Sequence, residues 1–236
     1  MSKKGKLYLI PTTIGDCEPE KVLPNYTIEI ARKLNVFIVE QVRTARRFLS
    51  KLNPVSNIED MTFYPLNKHT KENEIFSYFD EVLEGKDIGL LSEAGTPCVA
   101  DPGSVIVEIA QRKGIEVVPL VGPNSILMAL MASGFNGQAF TFHGYLPIDS
   151  NQRAKKLKEL ELDIKTKDQT QIFIEAPYRN HQLVDAICKS CSPSTMLCVA
   201  TDITLDTENI KTFPVSIWKK KKLDFHKKPS LFLLYK

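Results

Sequence analysis

The chain is poor in the features that mark several large protein classes. No apolar run approaches the roughly 18–20 residues that a membrane-crossing helix needs. The opening Met1-Ser2-Lys3-Lys4-Gly5-Lys6 leads straight into a strand-like run, Leu7–Ile10, without the apolar stretch and cleavage site of a secretory signal. A cytoplasmic protein with no membrane partner is the expectation. The cysteines are few and scattered: Cys17, Cys98, Cys188, Cys191 and Cys198. Cys188 and Cys191 form a lone C-x-x-C with no second pair and no His-x-x-x-His, so reduced structural thiols are favoured over a zinc or redox site, and no metal is expected. Neither G-x-x-x-x-G-K-[ST] nor a G-x-G-x-x-G after the first strand occurs, which leaves a P-loop nucleotidase or a conventional dinucleotide enzyme without support.

What remains is an ordinary globular composition, 43% hydrophobic and 25% charged over 236 residues, enough for one large core or two modest ones. The net charge of +3 is unevenly spread. Residues 1–150 hold 15 Lys/Arg against 18 Asp/Glu, and residues 151–236 hold 16 against 10. A basic second half suits either a polyanionic partner or a solvated lysine-rich surface.

Apolar β-branched runs alternate with helix-period stretches. Strands are expected at Lys6–Ile10, 36–40, 61–65, 88–92 and 116–121, with helices around 24–34, 44–52, 72–83 and Ser104–Arg112, Gly114 closing the last. This alternation implies βαβ crossovers and a mainly parallel sheet. After an apolar helix at 124–133 the chain becomes richer in strand, near Phe140–Tyr145, 171–175, Met196–Thr201 and 231–235, with helices only near 153–162 and 181–189. The expected fold is therefore α/β in two domains. An N-terminal domain, 1–121, carries the mainly parallel sheet; a C-terminal domain, 122–236, carries a mixed one.

In such sheets ligands bind beyond the carboxyl ends of the strands. Three loops there combine glycine, proline and small hydroxyl or amide residues: Pro11–Asp16, Ser92–Pro97 (followed by Asp101-Pro102-Gly103), and Val121–Ser125. Any one alone reads as an ordinary turn; three in such positions read as a cleft.

The segment GLLSEAGTPCVADPGSVIVEIAQRKGIEVVPLVGPNSILMALMASGFNGQAFTFHGYLP, 89–147, resembles the middle of RsmI-type enzymes of the tetrapyrrole-methylase superfamily, which methylate a ribose 2′-hydroxyl of a cytidine in 16S rRNA. LYLIPTTIGD, Glu40 with Arg43, and Phe173-Ile174-Glu175-Ala176-Pro177-Tyr178-Arg179 extend the resemblance over most of residues 6–205. The departures are Thr13 where the family has proline, Gln41-Val42 in place of Asp-Thr, Tyr178 in place of histidine, and an earlier end.

The resemblance implies S-adenosylmethionine in a cleft between the two domains, and a homodimer. By position, Pro11 and Thr12 would line one side, and Ser92, Ala94, Gly95, Thr96 and Pro97 would wrap the methionine end. Gly122, Pro123, Asn124 and Ser125 would approach from the second domain, with Phe142 and Tyr145 near the adenosine, although both aromatics also fit a strand core. Candidate carboxylates for activating a hydroxyl are Glu93, Asp101 and Glu175. The four-residue spacing of Glu175 and Arg179 also permits an ion pair that shapes the pocket, and Asp101 equally fits a turn. His143 reads as packing; His69, His181 and His226 read as solvated.

Arg43, Arg46 and Arg47 form a basic group, Lys155, Lys156 and Lys158 another, and Arg179 is a further candidate for the substrate. Trp218 beside Lys219–Lys222 suggests base stacking flanked by phosphate contacts. Three functions stay open: methylation of ribose in rRNA of the small ribosomal subunit, methylation of a small molecule such as a tetrapyrrole, and a non-catalytic S-adenosylmethionine-binding homologue. Against the second, the corrin-modifying branch favours a G-x-G-D-P opening where this chain has T-T-I-G-D.

Overall fold

The computed structural model describes residues 4–67, 70–221 and 224–236; His69 and Lys222 lie outside them. The chain forms two compact units, Met1–Asn124 and Ser125–Lys236.

In the first unit five strands, β1 (Lys6–Ile10), β2 (Val36–Val39), β3 (Thr62–Pro65), β4 (Ile88–Leu91) and β5 (Glu116–Pro119), pair in the order β3-β2-β4-β1-β5, all parallel. Helices α1 (Asn25–Lys33), α2 (Val42–Lys51), α3 (Glu72–Ser77), α4 (Asp80–Leu83) and α5 (Ser104–Arg112) connect them. The two-residue period of the strands sends Leu7, Ile38, Ile88 and Leu90 into one core with Ile75, Phe79, Val82, Ile106 and Ile109 of the α3–α5 side. Ile10, Phe37, Val39 and Leu91 enter another with Ile28 and Ala31 of α1 and Ala45 and Leu49 of α2. A sheet buried on both faces explains why these strands read as continuous apolar runs.

The helix expected over 72–83 is broken at Tyr78 and Phe79. The turn there buries both rings, and Tyr78 Oη donates to the carbonyl of Pro65 at 2.7 Å. Gly114 ends α5 at φ +61°, a left-handed position suited to glycine.

The second unit holds β6 (Phe140–Tyr145), β7 (Thr170–Ile174), β8 (Met196–Thr201), β9 (Asn209–Pro214) and β10 (Ser230–Tyr235), in the order β6-β7-β10-β8-β9. Only β6 and β7 are parallel, so the sheet is mixed. Its helices are α6 (Ser125–Ser133), α7 (Ser150–Lys167), α8 (Asn180–Ser190) and the single turn α9 (Val215–Trp218). Asp149 caps α7 by accepting from the amides of Asn151 and Gln152 at 3.1 and 2.9 Å. Leu157, Leu160 and Ile164 of α7 and Leu183, Val184 and Ile187 of α8 pack with Phe173, Leu197, Val199, Phe232 and Leu234. α6 packs on β9 and β10, where Thr212 Oγ1 donates to the carbonyl of Ser133 at 3.0 Å.

β9 and α9 were not expected. β9 is an edge strand whose N-I-K-T-F-P sequence carries only two large apolar residues, too sparse a pattern to stand out.

Candidate functional site

Strand order places the site of the first unit. The chain leaves β1 for β2, two positions to one side, and leaves β4 for β5, two positions to the other. β1 and β4 are neighbours, so their carboxyl ends flank a topological switch point, where open α/β sheets bind ligands.

The three small-residue loops meet there. The amide of Thr12 donates to the carbonyl of Gly95 at 2.9 Å, an isolated bridge joining the loops after β1 and β4. Thr12 Oγ1 lies 3.3 Å from the Ser92 carbonyl, and Ser92 Oγ donates back to the carbonyl of Gly95. The loop after β5 joins through Asn124, whose Nδ2 donates to Thr96 Oγ1 at 2.6 Å. Two glycines make this approach possible. A β-carbon on Gly122 would fall 2.3 Å from Cβ of Pro11, and one on Gly95, at φ +73°, would fall 3.1 Å from the carbonyl oxygen of Pro123. Pro11, Thr12, Ser92, Pro97 and Pro123 are buried, Thr96 and Asn124 are half-buried, and Ala94 is exposed. The strain of the turn continues past Pro97: Cys98 and Ala100 take φ +67° and +58°, rare for residues with a side chain.

Beside these loops a cavity of about 340 Å³ is lined by Thr12, Thr13, Thr44, Arg47, Ser92 and Glu93 among others. A wider one of about 810 Å³ is lined by Glu40, Gln41, Asn67, Thr70 and Pro102 among others.

The three carboxylates expected to serve chemistry are each engaged by the scaffold. Glu93 Oε1 accepts from the amide of Gln41 at 3.1 Å, and Thr44 Oγ1 lies 2.8 and 2.9 Å from its two oxygens, an arrangement that holds the start of α2. Asp101 Oδ1 accepts from the amides of Gly103 and Cys98 at 2.7 and 3.3 Å, the turn arrangement the sequence allows. Glu175, in the second unit, has a buried side chain; its Oε1 takes Nε and Nη2 of Arg179 at 2.9 and 2.6 Å and the amide of Ala176 at 2.7 Å. The expected Glu175–Arg179 pair is therefore present, and Glu175 raises the Arg179 pKa. Arg179 also lies over the exposed Tyr178 ring, 5.4 Å from its centroid.

Glu40 stands apart from these three. Sequence reasoning noted it only within a motif, and its signal was its place directly after a fully buried strand. Burial pushes its pKa up, and the nearby charges of Glu93 and Asp101 push it further.

Elsewhere in the second unit Ser125 opens α6, and Phe142 is half-buried in β6 while Tyr145 is 63% exposed. A bulge between them, with Gly144 at φ +64°, breaks the strand's alternation. His143 Nε2 pairs with Gln171 Oε1 at 2.7 Å, a packing role. His181 is exposed, as expected, and one face of its ring stacks on Phe225 at 4.2 Å between centroids.

One expectation is overturned. Trp218 does not present its ring for base stacking: it is 4% exposed, and its indole nitrogen donates to the carbonyl of Leu197 at 2.8 Å. The sequence places it beside lysines, but its one-turn helix points it into the core with Phe213 and Phe225. Lys219, Lys220 and Lys221 are exposed. The C-x-x-C thiols are also core groups. Burial raises Cys188 and pushes Cys191 to about 12, so both stay protonated. No helix among the described residues is long and apolar enough to cross a membrane.

Solved structures share this fold. The methyltransferase CobJ superposes with a TM-score of 0.64 at 15% identity, covering 98% of this chain and 94% of that one. Uroporphyrin-III C-methyltransferase from Thermus thermophilus, complexed with S-adenosylhomocysteine, gives 0.57 at 16%, covering 98% and 92%. The fold is thus that of the tetrapyrrole-type methyltransferases. The chain belongs to the family of tetrapyrrole (corrin/porphyrin) methylases, whose model matches residues 6–217. Among sequence relatives, the ribosomal RNA small subunit methyltransferase I of Vibrio cholerae is 30% identical over 210 residues, 89% of this chain and 69% of that protein. The protein of the same name from Bacillus subtilis is 36% identical over 188 residues, 80% of this chain and 60% of that protein.

Proposed function

We propose that the chain is an S-adenosylmethionine-dependent methyltransferase acting on a ribose 2′-hydroxyl of small-subunit rRNA. One observation carries the reading: relatives matching most of the chain at 30–36% identity bear the name ribosomal RNA small subunit methyltransferase I. Reading the chain as a tetrapyrrole enzyme has behind it the broad family match and a likeness of fold at 13–17% identity, without a relative of comparable sequence identity among those described above.

The crevice of the first unit fits the methyl donor. Gly95 and Gly122 let the three loops close on one another where a β-carbon would press on the Pro123 carbonyl or strike Pro11, and Thr12, Ser92, Thr96 and Asn124 supply hydroxyls and an amide at the crevice edge. Pro11, Thr12, Ser92–Pro97 and Gly122–Asn124 of the first unit would hold the donor. When bound, it supplies an electrophilic methyl group on a sulfonium. The protein's contribution to an in-line displacement is alignment and the handling of one proton. Arg43, Arg46 and Arg179 are the proposed RNA-binding residues. Glu175 fixes the Arg179 guanidinium, leaving its Nη1 edge for a phosphate.

A homodimer working in the cytoplasm, where bacterial ribosomal subunits are assembled, completes the proposal. Light scattering at micromolar concentration reads the first point, and a monomeric mass would refute it. The function is tested by mapping ribose methylation in small-subunit rRNA from cells with and without the protein. Loss of one 2′-O-methyl group is the expected result; an unchanged map would reject the rRNA substrate.

A further inference from the structure

The carboxylates at the switch-point edge differ in how far the scaffold has already committed them. Glu93 is held by the Gln41 amide and the Thr44 hydroxyl at the start of α2. Asp101 is held by two amides in its own turn. Glu175, in the other unit, is buried against Arg179. Each holds a loop or a guanidinium in place.

Glu40 has no such work. It follows β2, the neighbour of β4 in the sheet, and so sits at the carboxyl edge where the site forms. It lines the cavity of about 810 Å³. The charged groups acting on it are Glu93, from the loop after β4, and Asp101, ahead of α5; both are anionic, and among the described residues neither a cation nor a hydrogen-bond donor offsets them. Its polar neighbours around the cavity, Gln41, Asn67 and Thr70, carry no charge. Lone, half-buried and repelled by two anions, this carboxylate gains stability by taking up a proton.

We propose that Glu40 is the proton acceptor of the methyl transfer, and that the cavity beside it receives the nucleoside whose hydroxyl is methylated. This rests on the functional reading above. As the ribose oxygen bonds to the methyl carbon and the electron pair of the breaking C–S bond returns to sulfur, the hydroxyl proton passes to a Glu40 carboxylate oxygen. The products are the methyl ether, the neutral thioether and a neutral Glu40, which then returns its proton to water. The two neighbouring anions favour this step, because protonation removes a repelled charge.

The test is Glu40→Gln, nearly isosteric and uncharged. Single-turnover rates on small-subunit RNA should fall by about 10²-fold or more, while the Kd for S-adenosylhomocysteine by calorimetry and the KM for RNA stay within about twofold of the parent's. The acid limb of the pH–rate profile should vanish with Glu40. Independently of turnover, the carboxyl NMR difference between the ligand-free parent and the variant should show one group titrating above the ordinary glutamate range. Glu40→Asp keeps the carboxylate and serves if the glutamine variant does not fold; it should be slower but retain the acid limb. Wild-type rates in Glu40→Gln, an acid limb surviving there or absent in Glu40→Asp, or an ordinary Glu40 titration would each overturn the assignment. A parent protein that never methylates RNA would overturn the functional reading, and this inference with it.

Discussion

The amide of Thr12 and the carbonyl of Gly95, 2.9 Å apart, are the bond by which the loop after the first strand grips the loop after the fourth. Gly95 holds that position at φ +73° with the Pro123 carbonyl 3.1 Å from where a side chain would start. Gly95→Val therefore adds both backbone strain, about 1–3 kcal/mol, and a branched group in the crevice. Calorimetry with S-adenosylhomocysteine should find no binding at millimolar ligand, while thermal melts still show a cooperative transition. Binding at the parent's affinity would place the cofactor elsewhere.

Trp218 separates packing from RNA contact. Trp218→Ala should cost about 3–5 kcal/mol, as for other large buried aromatics. Trp218→Phe should cost about 1–3 kcal/mol, because the Leu197 carbonyl is left without its indole donor. Denaturant unfolding measures both. RNA affinity of folded Trp218→Phe should match the parent's; a tenfold weakening would return the ring to the interface.

Tyr64 gives a pH signature. Its hydroxyl donates to Glu81 Oε1 at 2.8 Å, and burial together with that bond pushes its pKa to about 12. The folded value lies above the unfolded one, so this contribution to stability is complete below about pH 10 and is lost as pH rises toward 12. Glu81 has the opposite sign. The hydrogen bond from Lys86, then that from Tyr64, lowers its pKa against burial, so its contribution is present above about pH 4.3 and is lost as pH falls. Melting temperatures between pH 10 and 12 should decline less steeply in Tyr64→Phe than in the parent. Parallel declines would mean that the Tyr64 proton is not linked to folding.

The first unit was legible in the sequence because its physics is local. Strands buried on both faces show as unbroken runs such as Val36–Val39 and Ile88–Leu91, and Ser104–Arg112 matches its helix end to end. The loops at the strand ends were visible as clusters of glycine, proline and hydroxyl residues. Their closure through Thr12, Gly95 and Asn124 was not, because it joins residues more than 25 positions apart. The same limit hid the fate of Glu93, whose partners Gln41 and Thr44 are about 50 positions away, whereas the Asp101 turn and the Glu175–Arg179 pair are local and open to sequence reading. Glu93 looks like Glu40 in sequence, and only the partners brought by α2 distinguish the two. Trp218 misled because neighbouring lysines describe the chain, whereas burial follows the face of α9.

The charge distribution supplies the remaining test. Arg43 and Arg46 project from the exposed side of α2 in the first unit, and Lys219, Lys220 and Lys221 follow α9 in the second. Arg47 lines the cavity beside the loops proposed to hold the cofactor, so it is left intact. Replacing either set with alanine should weaken RNA binding and flatten its salt dependence, while cofactor affinity stays near the parent's. The cause is counterion release: each phosphate that the protein no longer neutralises takes roughly 0.7–0.9 off the slope of log affinity against log salt. If each arginine of the first set neutralises one phosphate, its replacement reduces the slope by about 1.5. An enzyme acting on a tetrapyrrole would show no such slope, and a non-catalytic homologue would keep cofactor binding with no RNA affinity to weaken. Because the two sets lie on different units, a slope reduced by each alone, and further by both, would mean that one RNA contacts both units at once. Unchanged affinity in both variants would move the substrate away from RNA.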